Sequence, residues 1–382
     1  MPEASPAKWH LGHTSWFFEQ FALSADPPYV PIDAHWAYLF NSYYQRVGEA
    51  HARPRRGMLS RPTLRQVLDH RAAIDARMEA ALRDPSPRMA QVVELGLQHE
   101  QQHQELLLTD IKHAFWSQPL RPPWRGDLPV PRAAEAAPLR WIAGAEGIVE
   151  AGAPAWPAND AFAFDSESPR HRVLLQPHAL ANRPVTNAEY RRFIEEGGYR
   201  EPDAWLSAGW DRVRAEGWRA PLYWDDDLAR EFTLGGWRDI DPHAPVCHLS
   251  YFEADAFARW AGARLPTDFE WEHAAAGVPV AGNFADAGWM HPIGAGPRAA
   301  GPRQLFGDAW EWTCSAYAPY PGFKAMPGAL GEYNGKFMCD QQVLRGGSCA
   351  SAASHLRATY RNFFHAADRW QFSGLRLAKD RP

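Results

Sequence analysis

The stretch Leu95–His113, LGLQHEQQHQELLLTDIKH, governs how the first third of the chain folds. Its leucines, with Val92 and Val93 upstream and Ile111 downstream, recur at helical spacing, so the pattern predicts a bundle helix over Arg88–Phe115. His99 and His103 are four residues apart on that helix and share a face, where two imidazoles can bind one metal. Glu100 beside the first histidine also makes a formal match to the zinc-protease pattern HExxH, in which it would be the general base. That context requires a third ligand downstream, whereas this helix runs on as an amphipathic segment. Helical histidine pairs also arise as solvated surface residues, and spacing alone leaves the choice open. A third nitrogen is more naturally supplied upstream by His10 or His13, three apart on the first helix. Three neutral nitrogens with open positions suit a divalent iron that must bind both substrate and oxygen.

Working outward, Ser5-Pro6 reads as a cap and first-turn pair before a helix through KWHLGHTSWFFEQFAL, and Arg61–Leu82 as another bundle helix. The prolines of WSQPLRPPWRGDLPVPRAAEAAP forbid regular helix and predict an extended linker at residues 118–138. Beyond residue 139 the texture changes to short β-like runs, such as HRVLLQPHAL and QQVLRGGS, among many turn residues. Short capped helices are interspersed, one opening at Thr186 and ending at Gly197-Gly198, another opening at Ser250 and breaking near Gly262. The expectation is a multidomain protein, a helical bundle over 1–117 followed by an irregular α+β domain over 139–382.

Composition narrows the class. The chain has 382 residues, 46% of them apolar, and a formal charge of −5, so a sizeable core is possible and no basic excess points to nucleic acid. No apolar signal-peptide core and no run of about 18 apolar residues occurs, so neither a membrane nor an export route is expected and a cytoplasmic location is the default. The 4 cysteines include no CxxC pair, which speaks against a disulfide scaffold or a thiolate zinc site. The 18 tryptophans point to a loop-rich portion held by aromatic packing.

The segments KWHLGHTSWFFEQF, LFNSYYQRVGEAHARPRRGMLSRPTL and LGLQHEQQHQELLLTDIKH resemble the DinB-like helical domain of ergothioneine-type sulfoxide synthases. The second half resembles the formylglycine-generating-enzyme-like domain, a C-type-lectin-like fold, in ESPRHRVLLQPHALANRPVTNAEYRRFI, PVCHLSYFEADAFARWAGARLPTDFEWEHAA, FGDAWEWTCSAY and VLRGGSCASAASHLRATYRNFFHAADRWQFSGLRLA. The resemblance covers essentially the whole chain. It implies oxidative C–S coupling of hercynine, the trimethylated betaine of histidine, to a thiol at a non-haem Fe(II) centre with O2, giving a sulfoxide. The tyrosine pair and the RPRR segment resemble the branch that uses cysteine directly.

Carried over by motif, the resemblance makes His13, His99 and His103 the iron ligands, with His10 supporting them, and both domains build one site. Gln102 lies on the same face as His99 and is expected to orient the substrate imidazole. The YRNFF motif puts Asn362 and Phe363 at the hercynine pocket, with Phe364 beside them: an amide for the carboxylate, an aromatic face for the trimethylammonium. Arg53 and Arg56 are candidates to clamp the cysteine carboxylate, because guanidinium offers a bidentate fork. Tyr43 and Tyr44 are adjacent, and on helical geometry they would point about 100° apart, so only one can aim at the metal. Tyr44 is the expected proton donor and Tyr43 its support.

Residues 264–267 (RLPT), Trp271, Trp310, Glu311, Trp312 and residues 345–348 (RGGS) are expected to be architecture, and Cys314 and Cys349 to be packing cysteines. The chain begins a dozen residues before His13, so the bundle is expected to lack the upstream helix that the resemblance implies. Close alternatives are a synthase using gamma-glutamylcysteine or a selenium donor. More distant ones are a non-catalytic lectin-like binding protein, against which the histidine triad argues, and a zinc-dependent thiol transferase, against which the aromatic betaine pocket argues. An ovothiol-type synthase would carry a further methyltransferase domain.

Overall fold

Gly12 and Gly96 explain how the two histidine-bearing helices approach. A Cβ at Gly12 would stand 2.3 Å from the Phe40 ring, and one at Gly96 would stand 2.5 Å from the Phe18 ring. Each glycine is therefore a socket for an aromatic ring from a neighbouring segment. The computed structural model describes residues 1–25, 28–131, 135–158, 161–296 and 301–381, and it divides into two compact units. The first comprises Met1–Ala114, Pro157–Phe162 and Lys324–Lys336; the second comprises Phe115–Trp156, Ala163–Phe323 and Phe337–Pro382.

The first unit is helical: α1 (Ala7–Phe17), the short α2 (Trp36–Phe40), α3 (Leu64–Ala81) and α4 (Pro87–Ser117). The first helix differs from expectation at both ends. It is capped at Pro6 without a side-chain bond, because the Ser5 N–H is committed to Asp110 Oδ2 at 2.8 Å and its hydroxyl accepts from Arg56. Regular helix stops at Phe17 and passes through a π turn at Phe18–Ala22, which widens the backbone beside the aromatic cluster. Helix α3 starts on a reciprocal capping box, Thr63 with Gln66. The core of this unit is aromatic, with Trp9, Trp16, Phe17 and Tyr44 each at most 2% exposed.

The second unit carries the mixed fold. Its helices are α5 (Asn187–Glu195), α6 (Ser207–Glu216), α7 (Tyr251–Trp260) and α8 (Asp268–Ala275). Helices α5, α7 and α8 open on capping boxes, Thr186 with Glu189, Ser250 with Glu253 and Thr267 with Glu270. The strands are β1 (Trp141–Ala143), β2 (Gly147–Ala151), β3 (His171–Leu175), β4 (His178–Ala181), β5 (Arg230–Thr233), β6 (Gly236–Asp239), β7 (Trp310–Ala316), β8 (Gln341–Arg345), β9 (Asn362–His365), β10 (Ser373–Gly374) and β11 (Ala378–Asp380). They form a sheet in the order β1-β4-β11, a sheet in the order β10-β7-β8-β9, and the hairpins β2-β3 and β5-β6. Strand β9 lies antiparallel on β8, with Phe363 opposite Val343.

Buried ion pairs join these small sheets to the helices. Asp268 accepts from Arg345 and Arg361, Arg345 also reaches Glu272, and Arg376 grips Glu311, which accepts the Trp271 indole N–H at 2.7 Å. The architectural reading of Trp271, Glu311, Trp312 and Arg345 accords with their burial at 1% exposure or less. Of the two expected packing cysteines only Cys349 is buried; Cys314 is exposed, because β7 is buried only as far as Thr313 and its register on β8 shifts between Trp312 and Ala316, where Cys314 sits. The expected linker is not free chain throughout: Trp124 and Arg125 N–H groups donate to Leu234 O at 2.9 and 3.2 Å, while residues 132–134 lie outside the described residues. Among the described residues no helix is long and apolar enough to cross a membrane.

Candidate metal centre

Helix α1 presents WHLGH with Trp9, His10 and His13 on adjoining faces, and α4 presents His99 and His103 one turn apart. One nitrogen from each of His13, His99 and His103 lies within 4.8 Å of the other two. The closest approach is His13 Nε2 to His99 Nε2 at 3.2 Å, and the His103 ring centre stands 4.6 Å from both other rings. Trp9 and Trp16 stack on either side of His13 at 4.6 and 5.5 Å, since positions four before and three after it share its side of the helix.

The His13 Nδ1–H donates to the Phe40 carbonyl at 2.5 Å, which leaves Nε2 with its lone pair toward the cluster. Burial, reinforced by neighbouring His99, holds the His13 imidazole well below its ordinary value, and burial alone brings His99 down to about 3. His103 is pushed down by burial and then by His99 and His13. All three rings are thus neutral nitrogen donors at neutral pH, as metal binding requires. A set of three imidazoles with no carboxylate or thiolate fits a borderline divalent transition metal rather than magnesium or calcium.

Glu100 takes no part. Its carboxylate accepts from Arg71 Nη2 at 2.5 Å, so the HExxH match does not carry a general base at the cluster. His10 bonds His103 through Nδ1 at 2.9 Å and Asp110 through Nε2 at 3.1 Å. Gln102 receives the Tyr333 hydroxyl on its amide oxygen.

The tyrosine pair does not lie on a helix. Residues 43–44 follow α2 in a turn closed by Asn41, whose side chain bonds the Tyr44 N–H and carbonyl at 3.1 Å each. The rings therefore lie side by side, 4.6 Å apart, with Tyr43 donating to the Tyr44 hydroxyl at 3.5 Å, instead of pointing 100° apart. Burial, with Tyr333 next, raises the Tyr44 phenol well above its ordinary value, so it stays protonated.

The two arginines separate. Arg53 is exposed and donates to the Glu3 carbonyl at 2.8 Å. Arg56 is 3% exposed, lies 3.5 Å above the Trp9 ring, and donates to Ser5 and Ser42 hydroxyls at 3.2 and 3.0 Å. Burial, then Arg53, lowers it to about 9. Its Nε has no hydrogen-bond partner. Asn362, Phe363 and Phe364 belong to the second unit, all half-buried on β9, where Phe363 stacks on Tyr317 at 4.2 Å.

Sequence reasoning missed Tyr333. Its ring stands 5.6 Å from His99 and 6.2 Å from Tyr43, and the neighbouring Glu332 anchors the segment by accepting from the Gln45 and Arg46 N–H groups at 2.9 and 3.0 Å. No local periodicity marks this loop, and the glutamate beside the tyrosine was the one usable sign of an anchored turn.

Residues 140–381 match the family model described as the sulfatase-modifying factor enzyme 1-like domain. Joined to a helical unit with three convergent imidazoles, that domain defines the class, a metal-dependent oxygenase. The chain is similar to the hercynine oxygenase of Mycolicibacterium thermoresistibile, 34% identical over 99% of this chain and 88% of that one. It is also similar to the hercynine oxygenase of Mycolicibacterium smegmatis, 38% identical over 78% of this chain and 72% of that one. The ergothioneine biosynthesis protein 1 of Schizosaccharomyces pombe is 29% identical over 57% of this chain and 28% of its own length. The chain belongs to the hercynine oxygenase family.

Proposed function

We propose that this enzyme couples the imidazole of hercynine to the sulfur of cysteine with O2, at Fe(II) held by His13, His99 and His103, in the cytoplasm. The reaction balances without a further reductant: one C–H and one S–H bond are lost, a C–S and an S–O bond form, and the second oxygen atom leaves as water. Iron bound there supplies oxygen activation and a seat for the thiolate. In this reading residues 1–117 form the metal domain, 118–138 the linker and 139–382 the second domain.

The observation that carries the reading is the buried Arg56 beside the triad. Its cationic field lowers both His13 and His103, and its Nε has no partner. A buried cation without a carboxylate bonded to it is costly unless an anion arrives, and the carboxylate of cysteine is such an anion. Arg53 serves as its outer partner. Asn362 and Phe363 receive the betaine end of hercynine, with Phe364 flanking, and Gln102 orients the imidazole. Tyr44 is the proton donor supported by Tyr43. The bond from the Tyr333 hydroxyl to Gln102 favours a second reading in which Tyr333 donates instead.

The test is anaerobic Fe(II) loading followed by O2, hercynine and a panel of cysteine, gamma-glutamylcysteine and selenocysteine, with product masses recorded. The hercynine–cysteine sulfoxide is the expected dominant product. Faster coupling of another donor would move the chain to that branch, and consumption of O2 without any hercynine adduct would refute the reading.

A further inference from the structure

The outer nitrogens of the three imidazoles of the cluster meet different surroundings. His13 donates to a backbone carbonyl, and His99 Nδ1 is buried with no hydrogen-bond partner. His103 alone is connected to a buried carboxylate through a second imidazole: His103 Nδ1 to His10 Nδ1 at 2.9 Å, then His10 Nε2 to Asp110 Oδ2 at 3.1 Å. Both intermediaries are buried, His10 at 4% and Asp110 at 6% exposure.

The partners along this chain fix its direction. Asp110 Oδ2 already accepts the Ser5 N–H at 2.8 Å, and a carboxylate can only accept, so the hydrogen on His10 sits on Nε2. The His10 Nδ1 then carries a lone pair, and the bond between the two Nδ1 atoms requires the hydrogen to come from His103. With Nδ1 protonated, His103 has its lone pair on Nε2. The opposite ring form would bring two lone pairs together at 2.9 Å.

We propose that His10 and Asp110 are positioning residues that hold His103 in the form that presents Nε2 to the metal and raise its donor strength. The inference rests on the triad being the metal site and adds what selects the donor atom of one ligand. The carboxylate polarises His10, and His10 polarises His103, the usual effect of an outer hydrogen-bond chain on a ligating imidazole. His10 belongs to α1 and Asp110 to α4, so the same bonds join the two ligand-bearing helices.

Cobalt(II) titration of the full-length apoprotein, followed by its visible absorption, reads affinity without turnover. His10→Leu removes the acceptor and is expected to weaken cobalt binding about 10–100-fold. His10→Asn puts an oxygen acceptor where Nδ1 stands and is expected to recover most of that loss, falling short of native by the polarisation that Asp110 supplies through His10. Long-range 1H–15N spectra of histidine-labelled, zinc-loaded protein are expected to show the hydrogen on Nδ1 of His103 and on Nε2 of His10. Equal affinities for native and His10→Leu, equally weak affinities for the leucine and asparagine variants with circular dichroism unchanged, or a His103 hydrogen on Nε2 would each overturn the proposal. Native protein that takes up no cobalt, or unaltered uptake by His99→Ala, would overturn the triad itself and this proposal with it.

Discussion

Replacing Arg56 by Met separates a substrate-binding arginine from a structural one, because the two roles give stability changes of different size. Burial and Arg53 bring this guanidinium from its ordinary value down to about 9, and at about 1.4 kcal/mol per unit the charged form is disfavoured in place by about 5 kcal/mol. Against this stand the face of Trp9, about 2 kcal/mol for a desolvated cation–π pair, and two serine hydroxyl bonds at about 1.5 kcal/mol each. The opposing contributions nearly cancel. The sign is clear: a cation whose folded value is depressed destabilises the fold at every pH below about 9, and the cost is relieved only as pH rises through that value. At pH 7.5 methionine removes the whole cost while filling the stem's volume over Trp9. The melting temperature of the metal-free variant should therefore stay within a few degrees of native, at about 2–4 °C per kcal/mol. The cysteine concentration that half-saturates O2 consumption should rise at least tenfold, about 1.4 kcal/mol, with the hercynine dependence unchanged. A fall of more than about 10 °C with an unaltered cysteine dependence would refute the reasoning and make Arg56 a tie between α1 and the turn at Ser42.

Three further outcomes follow from the same site. Tyr44→Phe should lower the ratio of coupled sulfoxide to oxidised cysteine without loss of metal; if the ratio moves only in Tyr333→Phe, the donor is Tyr333. Phe363→Leu keeps most of the volume beside Tyr317 but removes the aromatic face, so the preference for hercynine over histidine should narrow by about 2–10-fold, while Asn362→Ala should weaken both; an unchanged preference places the trimethylammonium elsewhere. Metal-free protein should lose stability as pH falls below about 6.5, because the unfolded chain takes up protons that buried His13 and His99 refuse, about 1.4 kcal/mol per pH unit for each ring. Equal melting temperatures at pH 7.5 and 5.5 would mean that both rings protonate in the folded state.

What the sequence makes legible is what a single segment decides. His99 and His103 share a face because helical spacing is local, and α5 and α7 begin at Thr186 and Ser250 because a capping residue and its glutamate lie three apart. The outcome at Ser5 shows where this stops. The Ser-Pro pair is a fair starting signal, yet the serine N–H and hydroxyl are claimed by Asp110 and Arg56, more than 50 residues away, and a tertiary bond outweighs a local cap. The turn at Tyr43–Tyr44 has the same cause, since it is closed by Asn41 and held where Glu332, 286 residues from Arg46, receives that residue's N–H.

Asp110 is the instructive intermediate case. It lies two turns beyond His103, so the helical pattern alone puts it near the ligand face of α4, and an acidic residue there could be read as solvated. Only the position of His10 on α1 shows that the carboxylate addresses the cluster indirectly, through an imidazole that no single helix could provide. The donors of the centre are therefore readable from two helices taken separately, whereas the bonds that choose which nitrogen each donor offers belong to the packing between them. Gly12 and Gly96 connect the two levels: Gly12 immediately precedes His13 and Gly96 lies three residues before His99, and by admitting Phe40 and Phe18 they let packing bring His13 and His99 within 3.2 Å.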